Sequence, residues 1–294
     1  MLRIRTDLAA EAHALWQEKA ENTTQLPGVR AREEHVDGYK VHRVEILDME
    51  GARALGKPQG TYLTLDIAPL RRGDHDAFER AVNAIAQLMR PLLPGEGAVL
   101  VAGIGNRQMT PDALGPLALE HLLVTRHLGE VLPDFRPVAA IGAGVLGTTG
   151  MEVAEWVYGA SRRIRPAAVI LVDALAARSL ERLCATVQIA DSGLVPGSGV
   201  GNHRKALTRD TLGVPVISVG VPTVVDAATL AMDLVGACGG EIARAQLPQE
   251  GRNLFVTPDS IDAKIRELAK LIGYGLNLAL QPQLEFEDLA ALVE

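Results

Sequence analysis

Aromatic residues are scarce in this chain. Phe, Tyr and Trp number 4, 4 and 2 among 294 residues, so the core falls to Ala, Val, Leu and Ile, and an aromatic-rich β-sandwich is disfavoured. Cysteine is nearly absent. Cys184 and Cys238 are too few for a disulfide framework and lack zinc-site spacing, which leaves buried thiols as the expectation. Positive charge is in deficit. With a net charge of -7 the chain has no general electrostatic attraction to nucleic acid or to an anionic membrane. Long apolar runs are missing as well: residues 214–237, the most apolar stretch, are broken by Pro215, Pro222, Asp226 and Asp233. The first residues carry Asp7, Glu11 and His13 where a signal peptide would need an unbroken apolar core. A cytoplasmic protein without a membrane segment is expected.

Hydrophobic residues make up 48% of the chain, enough for a sizeable core. Asp7 can cap a first helix whose apolar face carries Leu8, Ala12, Leu15 and Trp16 at helical spacing. Two strand-like runs, Tyr39 to Leu47 and Thr61 to Ile67, flank the turn signals Gly56, Pro58 and Gly60 and suggest an appended hairpin or sheet edge. A helical pattern from Asp76 to Met89 stops at Pro91. From Ala98 the chain alternates buried-type strands with helices: Ala98–Ala102, Arg136–Ile141, Ala168–Val172, Val187–Ile189 and Val216–Val219 read as strands, and Met151–Ile164 as a helix. A last helix starts at Thr257-Pro258, with Thr257 as cap and Pro258 in the first turn. This pattern predicts one α/β domain over 1–294, with a doubly wound, mostly parallel sheet flanked by helices at 96–294 and an elaboration of helix and β-hairpin at 8–95.

Open α/β sheets bind ligands beyond the carboxyl ends of their strands, so the residues there are the ones to question. Gly142, Gly144 and Gly147 match the dinucleotide fingerprint G-x-G-x-x-G, which opens the alternative of a dinucleotide-dependent oxidoreductase. Tight turns explain the same glycines. Asp112 and Asp173 each follow a strand, so the fold can bring both carboxylates to one crevice. Such a pair, sharing a proton, supplies an acid and a base for activating water. A helix cap at Asp112 and backbone hydrogen bonds at Asp173 explain the same residues more simply. His121 and His127, six apart on an expected helix, do not share a face as metal ligands would. Ser179, Ser192 and Ser198 lack a nucleophile elbow. Gly197, Gly199 and Gly201 can form an anion-binding nest or a plain loop. Arg178 and Arg204 can hold a carboxylate or form structural ion pairs.

At these same segments the chain closely resembles the germination proteases of spore-forming bacteria. The matching stretches are Arg5–Ala9, Gly103–Asn106, Thr110–Pro116, Val124–Leu128, Asp173–Ser179, Pro196–Asn202 and Val221–Ala227, in family order across most of the chain. The resemblance implies an atypical aspartic-type endopeptidase that degrades small acid-soluble spore proteins during germination, with Asp112 and Asp173 catalytic. It further implies a zymogen that cuts itself between Asp7 and Leu8, so that residues 1–7 form a pro-segment, and a homotetramer located in the forespore or spore core. Candidates for binding substrate or an oxyanion are Gly105, Asn106, Gly144, Gly147, Arg178, Gly199 and Gly201. Gly103–Asp112 and Gly147–Glu152 also resemble hydrogenase-maturation endopeptidases, which implies their fold and leaves a metal-dependent maturation endopeptidase as a further alternative. No histidine stands in their ligand context. His203 is a candidate by proximity in sequence alone, and no metal or other cofactor is expected, nor any direct contact with nucleic acid. A noncatalytic scaffold that kept the fold is the remaining alternative.

Overall fold

The computed structural model describes residues 6–19, 26–72, 76–197, 204–237 and 254–293. The N-terminal part comprises α1 (Ala9–Lys19), β1 (Val29–Val36), β2 (Tyr39–Ile46), α2 (Met49–Leu55), β3 (Gly60–Asp66) and α3 (Ala77–Met89). Then follow β4 (Val99–Ile104), α4 (Leu114–Ala118), β5 (Val138–Gly144), α5 (Leu146–Thr149), α6 (Val153–Ile164), β6 (Ala168–Ala177) and β7 (Thr186–Ala190). The chain closes with α7 (Arg209–Leu212), β8 (Val216–Asp226), α8 (Ala227–Ala237), β9 (Phe255–Val256), α9 (Ile261–Leu280) and α10 (Phe286–Val293).

One sheet joins all of the strands, in the order β1-β2-β3-β7-β8-β6-β4-β5, with β9 pairing the far part of β8. The strands β8, β6, β4 and β5 run parallel. They form the doubly wound core expected from the alternation of apolar runs and helices. Alternate residues of each central strand feed opposite layers, as a period of two requires. Val99, Val101, Ile170 and Val172 meet α3 and α9 on one face, whereas Leu100, Ala102, Val169 and Leu171 meet Val153 and Val157 of α6 on the other. Each of these side chains is excluded from water, and burying a Val, Leu or Ile stabilises by about 1.5–3 kcal/mol.

The elaboration is larger than a hairpin. β1, β2 and β3 form an antiparallel meander that continues into the core sheet through β7, which is antiparallel to both β3 and β8. The strand β1, Val-Arg-Ala-Arg-Glu-Glu-His-Val, is mostly exposed, so no apolar alternation announces it. The Asp7 carboxylate accepts a hydrogen bond from the sheet at Ala176. Two further expectations are corrected. His121 and His127 fall in two separate 3₁₀ turns, because the chain between them turns to meet β5. The helix α9 begins only at Ile261, since the Thr257 hydroxyl is taken by the carbonyl of Thr223. Cys184 is buried and in no disulfide, while Cys238 lies outside the described residues. Among the described residues no helix is long and apolar enough to cross a membrane.

α4 packs so closely on the ends of β4 and β6 that one of its residues can carry no side chain. A Cβ on Gly115 would lie 2.3 Å from the Ile104 carbonyl oxygen and 2.4 Å from that of Val172. In α5, by contrast, a Cβ on Gly147 would meet nothing within 4 Å. Gly115→Ala is therefore expected to cost about 1–3 kcal/mol, seen as a melting temperature roughly 3–10 °C lower. Gly147→Ala should stay within about 1 °C of the parent in the same thermal melt.

Candidate active site

Asp112 is placed by the chain leaving β4. Gly105 holds φ +120, a conformation that favours glycine, and a Cβ there would lie 1.9 Å from the Asp112 carbonyl oxygen. The loop can then fold back into the 3₁₀ turn Thr110–Asp112. The Asn106 N–H donates to Asp112 Oδ2 at 2.7 Å, and the Thr223 hydroxyl donates to the Pro111 carbonyl at 2.6 Å, tying the turn to β8. Asn106 therefore positions the carboxylate; its N–H is not aimed at an oxyanion.

Asp173 sits inside β6 rather than beyond its end, a correction to the sequence reading. The strand continues because β8 accompanies it as far as Ala177. On the other side, β4 pairs with β6 only up to Val172, so Asp173 is the first residue past the point where its neighbour stops. It is 6% exposed, and one oxygen accepts from the Ala174 N–H at 2.9 Å. Burial, then the neighbouring Asp112 carboxylate, then that of Asp7, hold Asp173 well above the usual aspartate range. Asp112 is raised by burial and held back by the Asn106 N–H. Burial therefore raises Asp173 more strongly than Asp112, which makes Asp173 the favoured seat of a proton shared by the pair.

The edge of β6 that β4 leaves open is taken by the N-terminal segment. The Asp7 N–H donates to the Ala176 carbonyl at 2.9 Å, and the Asp7 carboxylate accepts from the Ala176 N–H at 2.9 Å. Lys57 Nζ donates to the Thr6 carbonyl at 2.9 Å. The Gln188 side chain donates from Nε2 to the Asp7 carbonyl at 2.9 Å and accepts at Oε1 from the Ala9 N–H at 2.8 Å. Glu11, buried at 5% exposure, accepts from the N–H groups of Arg178 and Ser179 and from the Thr6 hydroxyl. Leu8 and Ala9 are fully buried.

Of the sequence-predicted site residues, the fold thus brings together Asp7, Leu8, Gly105, Asn106, Asp112, Asp173 and Arg178. Arg178 takes part through its backbone, since its guanidinium pairs with Asp233 at 3.0 Å. Gly144 closes β5 and Gly147 follows it in α5; β5 lies at the edge of the sheet. A dinucleotide fingerprint belongs at a central strand beside a switch in strand order, so the glycine pattern here is turn chemistry. Gly199, Gly201 and His203 lie outside the described residues, and among the described residues no three His, Cys, Asp or Glu side chains converge as metal ligands would. Gln188 and Lys57 were not foreseen. A polar residue at the centre of the apolar run Val187–Ile189 is the signal that could have drawn attention to Gln188.

A buried acid with a half-buried one beside it on an open α/β sheet, and a peptide segment docked on the same strand, is an arrangement suited to peptide hydrolysis. The family model described as germination protease matches residues 8–238, and the chain belongs to that family. The germination protease of Caldanaerobacter subterraneus subsp. tengcongensis is 42% identical, with 100% of this chain and 99% of that protein covered. That of Clostridium tetani is 39% identical, with 98% of each covered. That of Priestia megaterium is 36% identical, with 98% of this chain and 96% of that protein covered. Among solved structures, a [NiFe] hydrogenase maturation protease HycI from Thermococcus kodakarensis KOD1 matches 64% of this chain and 98% of its own at 19% identity, with a TM-score of 0.37.

The raised Asp173 carries a stability signature. Its neutral form stabilises the fold fully below the ordinary aspartate value of 3.8, and this contribution is lost as pH rises through the elevated folded-state value. Asn cannot ionise. Asp173→Asn should therefore melt at least about 2 °C higher than the parent at neutral pH, with the gain vanishing near pH 4 or below; a gain independent of pH would contradict the assignment of the proton.

Proposed function

We propose that this chain is an aspartic-type endopeptidase of germination, made as a zymogen that removes its own first seven residues and then hydrolyses small acid-soluble spore proteins. The observation that carries the reading is the docking of Asp7, the residue before the Asp7–Leu8 bond, on the open edge of β6 that also carries Asp173, the carboxyl group that burial raises most strongly. The similarity to germination proteases supports the protease; the acid pair supports the chemistry.

In the proposed reaction the Asp112 carboxylate takes a proton from water as its oxygen bonds to the Asp7 carbonyl carbon, and the C=O pair moves onto oxygen. Asp173 gives its proton to the Leu8 nitrogen. The C–N bond then breaks, the oxygen pair reforms C=O, and the products are a carboxylic acid and an amine. The new acid ionises to the amine, and the proton on Asp112 passes to Asp173, which restores the pair. Unfolded substrates suit such a crevice, because an extended strand can take the edge of β6 that Thr6 and Asp7 occupy. Assembly as a homotetramer in the spore core belongs to the same reading.

The test compares the parent with Asp112→Asn and Asp173→Asn in two assays: release of the first seven residues, followed by mass spectrometry, and cleavage of an unfolded small acid-soluble spore protein. Each substitution should slow both reactions by roughly 100-fold or more. Undiminished cleavage by either variant removes that aspartate from the mechanism. Because the bond belongs to the same molecule as the acids, the half-time of trimming should stay constant across a hundredfold dilution of protein. A half-time that lengthens with dilution would mean that one molecule trims another. Activity abolished by a chelator and restored by a divalent ion would favour the metal-dependent reading instead.

A further inference from the structure

Gln188 lies in the middle of β7 and is 7% exposed. A buried amide must satisfy two kinds of group at once, an N–H pair and a carbonyl, and the partners of Gln188 come from outside its own sheet. Nε2 donates to the carbonyl of Asp7 and Oε1 accepts from the N–H of Ala9. Leu8, with a peptide bond on either side, lies between those two contacts, and of the two bonds it is Asp7–Leu8 whose carbonyl oxygen the amide touches.

The sheet register sets this geometry. Gln188 pairs with Gly220 of β8, and Gly220 pairs with Asp173 of β6. Asp173 and Gln188 therefore share one row across the sheet, two strand spacings or about 10 Å apart, with a residue that has no side chain between them. Members of one row project from the same face. The carbonyl bonded to Gln188 belongs to Asp7, which also bonds to Ala176, three residues beyond Asp173 on β6. Thr64 completes the row on β3, and its buried hydroxyl has no hydrogen-bond partner.

We propose that the Gln188 side-chain N–H is the oxyanion donor for cleavage of the Asp7–Leu8 bond, and that its carbonyl fixes the peptide on the far side of that bond by holding Ala9. The assignment rests on the self-trimming reading above. The Asp7 carbonyl oxygen gains a full negative charge when water adds, and a donor already within bonding distance strengthens as that charge develops. Lys57 on the Thr6 carbonyl and Ala176 on the Asp7 carboxylate keep the residues before the bond from sliding along the edge.

The experiment follows release of the first seven residues from the full chain by mass spectrometry, in the parent, Gln188→Met and Gln188→Glu. Gln188→Met cannot donate, and trimming should slow by roughly 100-fold or more while a thermal melt still shows a cooperative transition. Gln188→Glu donates only when protonated, so its rate relative to the parent should be highest at acid pH and fall as pH rises. A merely structural glutamine would give a ratio that does not move with pH. Parent-like trimming by folded Gln188→Met, or a Gln188→Glu ratio flat with pH, overturns the proposal. Should Asp112→Asn and Asp173→Asn trim normally while Gln188→Met does not, the acid-pair reading fails and the oxyanion assignment stands. A parent chain that never trims itself overturns both.

Discussion

A carboxyl group withdrawn from water next to a second carboxylate cannot ionise freely, and the arrangement around Asp173 depends on that constraint. The cost is imposed by the sheet. Asp173 belongs to a strand buried on both faces, at the position where β4 ends and β8 continues, so little solvent reaches it to relieve the charge. Asp112 is brought alongside by the glycines that let the chain double back over the end of β4. Two acids raised to different degrees favour different protonation states at the same pH, which is the division of labour that the proposed hydrolysis requires.

The core was readable in advance because its physics is local. Continuous apolar runs such as Ala98–Ala102 and Ala168–Val172 have no solvent-facing phase, and only a parallel sheet covered on both sides buries them entirely. The two aspartates were legible by position and by the blocks around them. What escaped was decided by partners remote in sequence. β1 is a strand because β2 pairs with it, not because its own residues alternate. β6 runs on through Asp173 because β8 supplies its ladder. Gln188 looks like an interruption in a buried strand until the backbone of Asp7 and Ala9, about 180 residues earlier in the chain, arrives to satisfy it. Glycine patterns misled in the opposite direction: Gly142, Gly144 and Gly147 fit a fingerprint, but the first two lie in an edge strand and the third in the turn of helix after it.

The meander of β1, β2 and β3 is thus more than decoration on the core. It flanks β7, and β7 carries the amide that holds the N-terminal segment. The same segment is anchored at its start by Lys57, from the connection between α2 and β3, and beyond Ala9 it becomes α1, whose Ala9 packs with Val44, Ile46, Leu55 and Tyr62. The elaboration and the parallel core each contribute one wall of the place where the segment lies.

That division has a metric consequence. Side chains alternate along a strand with a period of two, so sliding β7 by a single residue against β8 would turn Gln188 through the sheet and offer Val187 or Ile189 in its stead. The two walls therefore work like the paired scales of a vernier: they coincide at one setting, and every neighbouring setting presents hydrocarbon to a peptide that needs an amide.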